Sequence, residues 1–412
     1  MLQQQDTTLV VDTPNRRSLF RMAVISRTAL ALGLVLAIAI AAWSLTPARP
    51  TLRDANRSMR KGDQQQAAAM LDEILADDPG NAEAWQLRAE CHYAMDAFDA
   101  AADSWQHCIE LIPEDIEVRI KQADCLLRSA RLRDAEAAYR NVLLLDRQNR
   151  HARTELQWIL FNQMRERELE SFLESYLTGD QPDLEVLYHL AYSSHRPPNP
   201  REAVGKMEAV NKQQPGQPEI EFALARCYWQ LGDTRKAESF FRRCIPGRKA
   251  SLHYSLPFAQ FLLEQGRSDE ALQILNTKDA DQKAWQADDR WWWLMSQIQR
   301  GAGQLRDALY SIEQASDRRP GDAGYRLQQA ALLNALGQPA VATEQNEAAG
   351  RIRAARSEIY AIVSRGDLNR LSPATCEKMS QLSQDQNLTL QAKYWAMAAE
   401  LVAGKIRGGA GP

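Results

Sequence analysis

Small and large apolar residues recur along most of this chain at helical spacing, and the arrangement returns every 34 residues. One column holds Ala67, Ala101, Ala135, Leu169, Ala203, Ala237 and Ala271, then, after a three-residue slip, Ala308 and Ala342. Twelve residues before each stand Ala55, Ala89, Ala123, Gln157, Ala191, Ala225, Ala259, Ser296 and Ala330. Four residues after stand Leu71, Trp105, Tyr139, Leu173, Met207, Phe241, Leu275, Ile312 and Asn346. A fixed period of this size predicts stacked supersecondary units rather than one central core. The residue at +4 shares a helical face with the alanine. Each unit is therefore a pair of antiparallel helices, and the two alanine columns mark where they approach most closely.

The turns are legible in the same register. Five residues before the first column lie Gly62, Gly232, Gly266, Gly303 and Gly337, with Asp96, Ala130, Met164 and Pro198 in the less regular units. Glycine ends the first helix in a left-handed turn without a steric penalty. Twelve residues after the column, Pro79, Pro113, Pro215 and Pro320 end the second helix.

This pattern resembles the tetratricopeptide repeat. The stretch AEAWQLRAECHYAMDAFDAAADSWQHCIELIPED, residues 82–115, carries it most fully, with Trp85, Ala89, Ala101, Trp105 and Pro113 in place. Residues 218–251 follow closely, and residues 150–183 depart most, with Gln157 and Leu169 at the small positions. The resemblance covers residues 48–356 as nine units. It implies an all-α fold, a tetratricopeptide α-solenoid wound as a right-handed superhelix of about nine helix-turn-helix repeats. Residues 357–412 are expected to add a C-terminal helical cap, with Ser372 and Pro373 suited to a helix start, and a disordered tail.

The N-terminus differs in kind. Residues 1–21 are read as a tail and residues 22–46 as a transmembrane or signal-anchor helix. TALALGLVLAIAIAAWSL, residues 28–45, is uncharged and spans about 27 Å as a helix, close to a bilayer's hydrocarbon core. Trp43 sits at its far end. A single-pass anchor is expected; a cleaved export signal is the other reading, against which small residues are poorly placed for cleavage. Arg16, Arg17, Arg21 and Arg27 favour a cytoplasmic N-terminus with the repeats on the periplasmic side, whereas Arg49, Arg53, Arg57 and Arg60 argue for cytoplasmic repeats. NRRSLFR, residues 15–21, also resembles a twin-arginine export signal.

Net charge is −3, which disfavours nonspecific nucleic-acid binding. Among the six cysteines, Cys91, Cys108 and Cys125 are seventeen residues apart, as are Cys227 and Cys244. Seventeen is half a repeat, so they occupy small buried columns, and packing is the expected role; disulfides in an oxidising compartment stay open. The Cys91-His92 and His107-Cys108 pairs suggest a metal, but adjacent helical residues diverge too far for all four to converge. No phosphate loop, nucleophile elbow or zinc-helix signature is present. Neither an enzyme, a cofactor nor a small-molecule substrate is expected.

What remains is a surface. In the family, helix A side chains at the fifth, ninth and twelfth places line a concave groove. From the fourth repeat these places are rich in aromatics: Trp158 and Phe161, Tyr188 and Tyr192, Phe222 and Trp229 around Arg226, then Leu256, Leu263 and Trp293. Aromatic and Arg side chains are common interface anchors, and the same side chains equally suit packing between repeats. The lysine and asparagine clamp of chaperone-binding relatives is absent. The expected function is a membrane-anchored scaffold that takes a partner protein or peptide, with apolar side chains, in the groove through Trp158, Phe161, Tyr188, Tyr192, Phe222, Arg226, Trp229 and Trp293. The alternative is a bacterial cell-envelope assembly or regulatory factor.

Overall fold

The computed structural model describes residues 49–196, 198–245, 252–276 and 282–408. The expected anchor at 22–46 and the tail before it lie outside the described residues. Among those described, no helix is long and apolar enough to cross a membrane. The described chain is helical, and it divides between Ile112 and Pro113 into two compact units.

The first unit contains α1 (Leu52–Arg60), α2 (Gln64–Asp77), α3 (Ala82–Ala94) and α4 (Phe98–Leu111). Side chains hold the orphan amides at the helix starts: Thr51 and Asp54 form a capping box, Asp63 accepts from Gln66 N, and Asn81 accepts from Ala84 N. Ala55, Ala67, Leu71, Ala84 and Cys91 are sealed at the helix contacts.

The second unit opens with α5 (Ile116–Arg128), α6 (Leu132–Leu145), α7 (Arg150–Asn162), α8 (Glu166–Glu174), α9 (Leu184–His195) and α10 (Pro200–Gln213). It continues through α11 (Pro218–Gln230), α12 (Thr234–Cys244), α13 (Leu252–Glu264), α14 (Ser268–Leu275), α15 (Gln282–Ala287) and α16 (Asp289–Gly301). It ends with α17 (Leu305–Arg318), α18 (Ala323–Ala335), α19 (Pro339–Arg365), α20 (Pro373–Asp385) and α21 (Thr389–Gly408). Its principal core gathers Phe222, Phe241, Phe258, Phe261, Leu275 and Leu294. Each such burial contributes about 1.5–3 kcal/mol.

The columns behave as helix-contact positions. Every alanine in them is buried, Ala237 and Ala271 completely. The turn column takes a left-handed backbone wherever it can: Gly232 has φ of 82°, and Asp96, Ala130 and Met164 have φ of 55°, 63° and 55°. A non-glycine residue there costs on the order of 1–2 kcal/mol, so the hairpin geometry overrides local preference. Pro198 cannot adopt it, and there Asn199 caps α10 instead.

Two features depart from a simple array. α15 is a short extra helix just before α16, in the stretch where the period slips. α19 runs unbroken for 27 residues through the expected repeat boundary at 356 and stops only at Gly366, φ 76°. Beyond it the cap keeps the repeat register: Ser380 Oγ donates to the Ala392 carbonyl at 2.8 Å, as Ser296 Oγ donates to that of Ala308 at 2.7 Å. Asn387, five residues before Ala392, has φ of 56°. α20 and α21 thus form a further repeat. α9 packs against α19 and α21, so this unit returns upon itself.

Candidate partner-binding cavity

The return is organised around α8, the second helix of the least regular repeat. Its outward face would meet water in an open array. Here almost every polar side chain on it reaches a distant part of the same unit. Arg226 on α11 grips Glu166 through both terminal nitrogens, at 2.9 and 3.0 Å. Arg167 pairs with Asp289 at the start of α16, and Asp289 also accepts from Tyr325 Oη at 2.7 Å. His253 on α13 lies 2.9 Å from Glu168. Arg319 binds Glu170 at 2.7 Å, and Gln391 on α21 donates to Glu174 at 3.1 Å. Just beyond the helix, Tyr394 Oη donates to the Gly179 carbonyl at 2.9 Å. The backbones also meet closely, since a Cβ on Gly321 would fall 2.3 Å from the Gln386 carbonyl oxygen.

Beside α8 lies a cavity of about 990 Å³. One wall is the stretch Met164–Glu170. The opposite walls carry Phe222, Arg226 and Trp229 from α11, Gln260 and Glu264 from α13, Trp293, Gln297 and Arg300 from α16, and Gln386 and Leu388 from the cap. The lining is dominated by charge that is already compensated. Burial opposes ionisation of Glu168, but hydrogen bonds from His253 and Arg165 hold its carboxyl well below the usual range. Glu174 shifts the other way, pushed up by burial and by neighbouring Glu170. Burial likewise pushes His195 down to about 4. Four buried polar atoms on the wall have no hydrogen-bond partner: His195 Nε2, Gln386 Nε2, Arg226 Nε and His253 Nε2.

Of the residues expected to bind a partner, Phe222, Arg226, Trp229 and Trp293 line this cavity, and Trp158, Phe161, Tyr188 and Tyr192 do not. Phe222 has no exposed surface. Its ring packs against His253, Tyr254 and Phe241 with centroids 4.6, 5.3 and 6.2 Å away, so its role is core packing. Trp229 is half-buried, with its indole N–H on Glu264 at 2.9 Å. Trp293 stacks on Tyr325. Tyr188 stacks on Tyr192, and Trp158 is 41% exposed. The expected stripe of apolar anchors is therefore a mixture of core aromatics and ion pairs. Leu256 is buried as well.

The ionic wall supplied by α8 was not anticipated. Its only sequence signal is the irregularity of the fourth repeat. All six cysteines are buried, with burial pushing Cys91 up to about 11 and Cys227 to about 12. His107 stacks on Trp85 and faces Glu110 rather than joining Cys91.

Comparison with known proteins places tetratricopeptide repeats at residues 58–104 and 221–245. DnaJ homolog subfamily C member 3 of Bos taurus is 22% identical over 253 residues, covering 53% of this chain and 50% of that protein. The Rattus norvegicus counterpart is 24% identical over 214 residues, covering 47% and 42%. The chain thus spans about half the length of the curated relatives it matches. Among solved structures, the Cut9-Hcn1 hetero-tetramer of APC/C aligns over 84% of this chain and 82% of that one, at 10% identity and TM-score 0.38. The P58(IPK) TPR domain aligns over 76% and 98%, at 18% identity and TM-score 0.27. MamA 41-end from Desulfovibrio magneticus RS-1 aligns over 42% and 95%, at 19% identity and TM-score 0.33.

Proposed function

We propose that this protein is an interaction scaffold, not an enzyme, and that its second unit takes a polar segment of a partner protein into the cavity beside α8. The observation that carries the reading is the cavity itself, 990 Å³ in volume and walled by buried polar atoms that lack partners. Most of its charges are paired internally, which weakens the field along the wall of α8. It offers hydrogen bonds, which an extended peptide backbone supplies along its whole length. This replaces the apolar ligand that an aromatic stripe implies. Arg226, Trp229 and Trp293 remain contact residues in this reading; Phe222 does not.

Site-specific photocrosslinking from Gln260, on the cavity wall, tests it. Crosslinks to a defined partner segment are expected from Gln260 and not from Tyr310, which is 57% exposed and off the cavity. Equal crosslinking of the same segment from both positions would remove the cavity from the function.

The same reading includes a membrane tether through residues 28–45, motivated by eighteen uncharged residues after an arginine cluster, with the repeats on the extracytoplasmic side. Fractionation tests the tether: deletion of residues 1–46 is expected to move the protein from membranes to the soluble fraction. Protection of the repeats from external protease in intact spheroplasts would reverse the orientation.

A further inference from the structure

A second cavity, of about 380 Å³, opens where the C-terminal end of α9 meets α19. Its wall is Ser194, His195, Arg353, Arg356, Ser357 and Tyr360. Arg353 and Arg356 lie one helical turn apart, on neighbouring positions of the α19 surface. Among the described residues neither has an acidic partner, whereas most arginines on the wall of the larger cavity, which Arg356 also lines, do: Arg165, Arg167, Arg226, Arg290 and Arg319. The nearby Glu170 is already engaged by Arg319 at 2.7 Å. The carbonyl end of α9 contributes roughly half a negative charge, which two guanidinium groups exceed. The junction therefore presents positive charge that its own residues leave uncompensated.

His195 narrows the choice of anion. It is 9% exposed. Its Nδ1 lies 2.9 Å from the Ala191 carbonyl oxygen, which can only accept, so Nδ1 carries the hydrogen. Nε2 is then a buried lone pair, and among the described residues nothing donates to it. A ligand that satisfies this wall must bring anionic oxygens for the arginines and one O–H for the imidazole. Carboxylates and sulfate at neutral pH bring only acceptors. A phosphate group, with a second pKa of about 6 in its esters, retains a proton in part of its population.

We propose that the meeting of α9 and α19 binds a singly protonated phosphate, free or as a monoester, with Arg353 and Arg356 donating to its charged oxygens and its P–OH donating to His195 Nε2. Ser194, Ser357 and Tyr360 supply further hydroxyls at the rim. Ser194, His195 and Arg356 also line the larger cavity, so the phosphate sits at the margin of that cavity, and its binding does not require the partner segment inferred above.

Isothermal titration of the full-length protein with inorganic phosphate, phenyl phosphate and sulfate tests the assignment. Saturable binding of phosphate, one per chain, is expected. The double variant R353Q/R356Q, altered only at exposed side chains, should bind at least about tenfold more weakly, a loss of about 1.4 kcal/mol, with its melting temperature unchanged. Sulfate should bind the native protein at least about tenfold more weakly than phosphate, and H195F should narrow that ratio. Phenyl phosphate binding as tightly as phosphate identifies an esterified ligand; binding of inorganic phosphate alone identifies the free ion. No saturable binding at millimolar phosphate, binding untouched by R353Q/R356Q, or sulfate bound as well as phosphate would each overturn the proposal.

Discussion

Ala271 and His195 show how differently single residues enter this structure. Ala271 is fully buried where two helices touch, so its size is the constraint. Ala271→Leu forces extra methylenes into a closed contact and should cost about 1–3 kcal/mol, read as a lowered midpoint in urea unfolding. This part of the fold is legible in sequence, because a small residue every 34 positions reports a local contact that every repeat makes. His195 is not legible in that way: one histidine among six carries no sign of its burial or of the helix opposite. Its pKa is pushed down from 6.5 to about 4 by burial, with Arg356 adding to the effect and Glu170 opposing it. The folded state keeps it neutral while the unfolded chain binds a proton, so its stabilising share is complete above pH 6.5 and declines as pH falls toward 4. The slope approaches about 1.4 kcal/mol per pH unit at most. Urea midpoints between pH 7 and 4.5 should fall for the native protein and fall less steeply for H195Q.

At the scale of elements, the decisive piece is α8. Periodicity exposed the fourth repeat as irregular but could not say why, because Arg167 and Asp289 are 122 residues apart and Gln391 and Glu174 are 217 apart. Ion pairs at such separations leave no recurring trace. Phe222 has a nearer reason: its position in the helix fits the groove stripe, but α13 of the next repeat covers it. Removing one partner of a largely buried pair leaves the other uncompensated, at a cost of about 3–5 kcal/mol. Asp289→Asn, which weakens the hold on Arg167, should therefore raise hydrogen exchange in α8 specifically, measured by mass spectrometry. Glu168 adds a pH dependence of its own. Its carboxyl is held below the ordinary value near 4.5, so its contribution is intact above that pH and is lost as pH falls through the lower folded value. E168Q should lower the urea midpoint near neutrality and flatten its further decline below about pH 4.5. Gly321 marks the other contact, and Gly321→Ala should loosen α20 and α21, because the new Cβ meets the Gln386 carbonyl oxygen.

At the scale of the whole molecule, the two units are built from the same helical hairpin but differ in how far their contacts reach. In the first, α1–α4 are stabilised between sequence neighbours, as expected of a repeat array. In the second, the hold on α8 draws on α11, α13, α16 and the cap. Truncation after residue 370, which removes α20 and α21, should therefore increase exchange not only at the new end but also at α8 and α9, nearly two hundred residues upstream. An array whose members meet only their neighbours can gain or lose a copy and remain sound. The span from Glu174 to Gln391 has no such freedom: one more hairpin between them would carry Gln391 and Tyr394 out of reach of α8, so the number of copies in this half of the molecule is fixed by where its ends must meet.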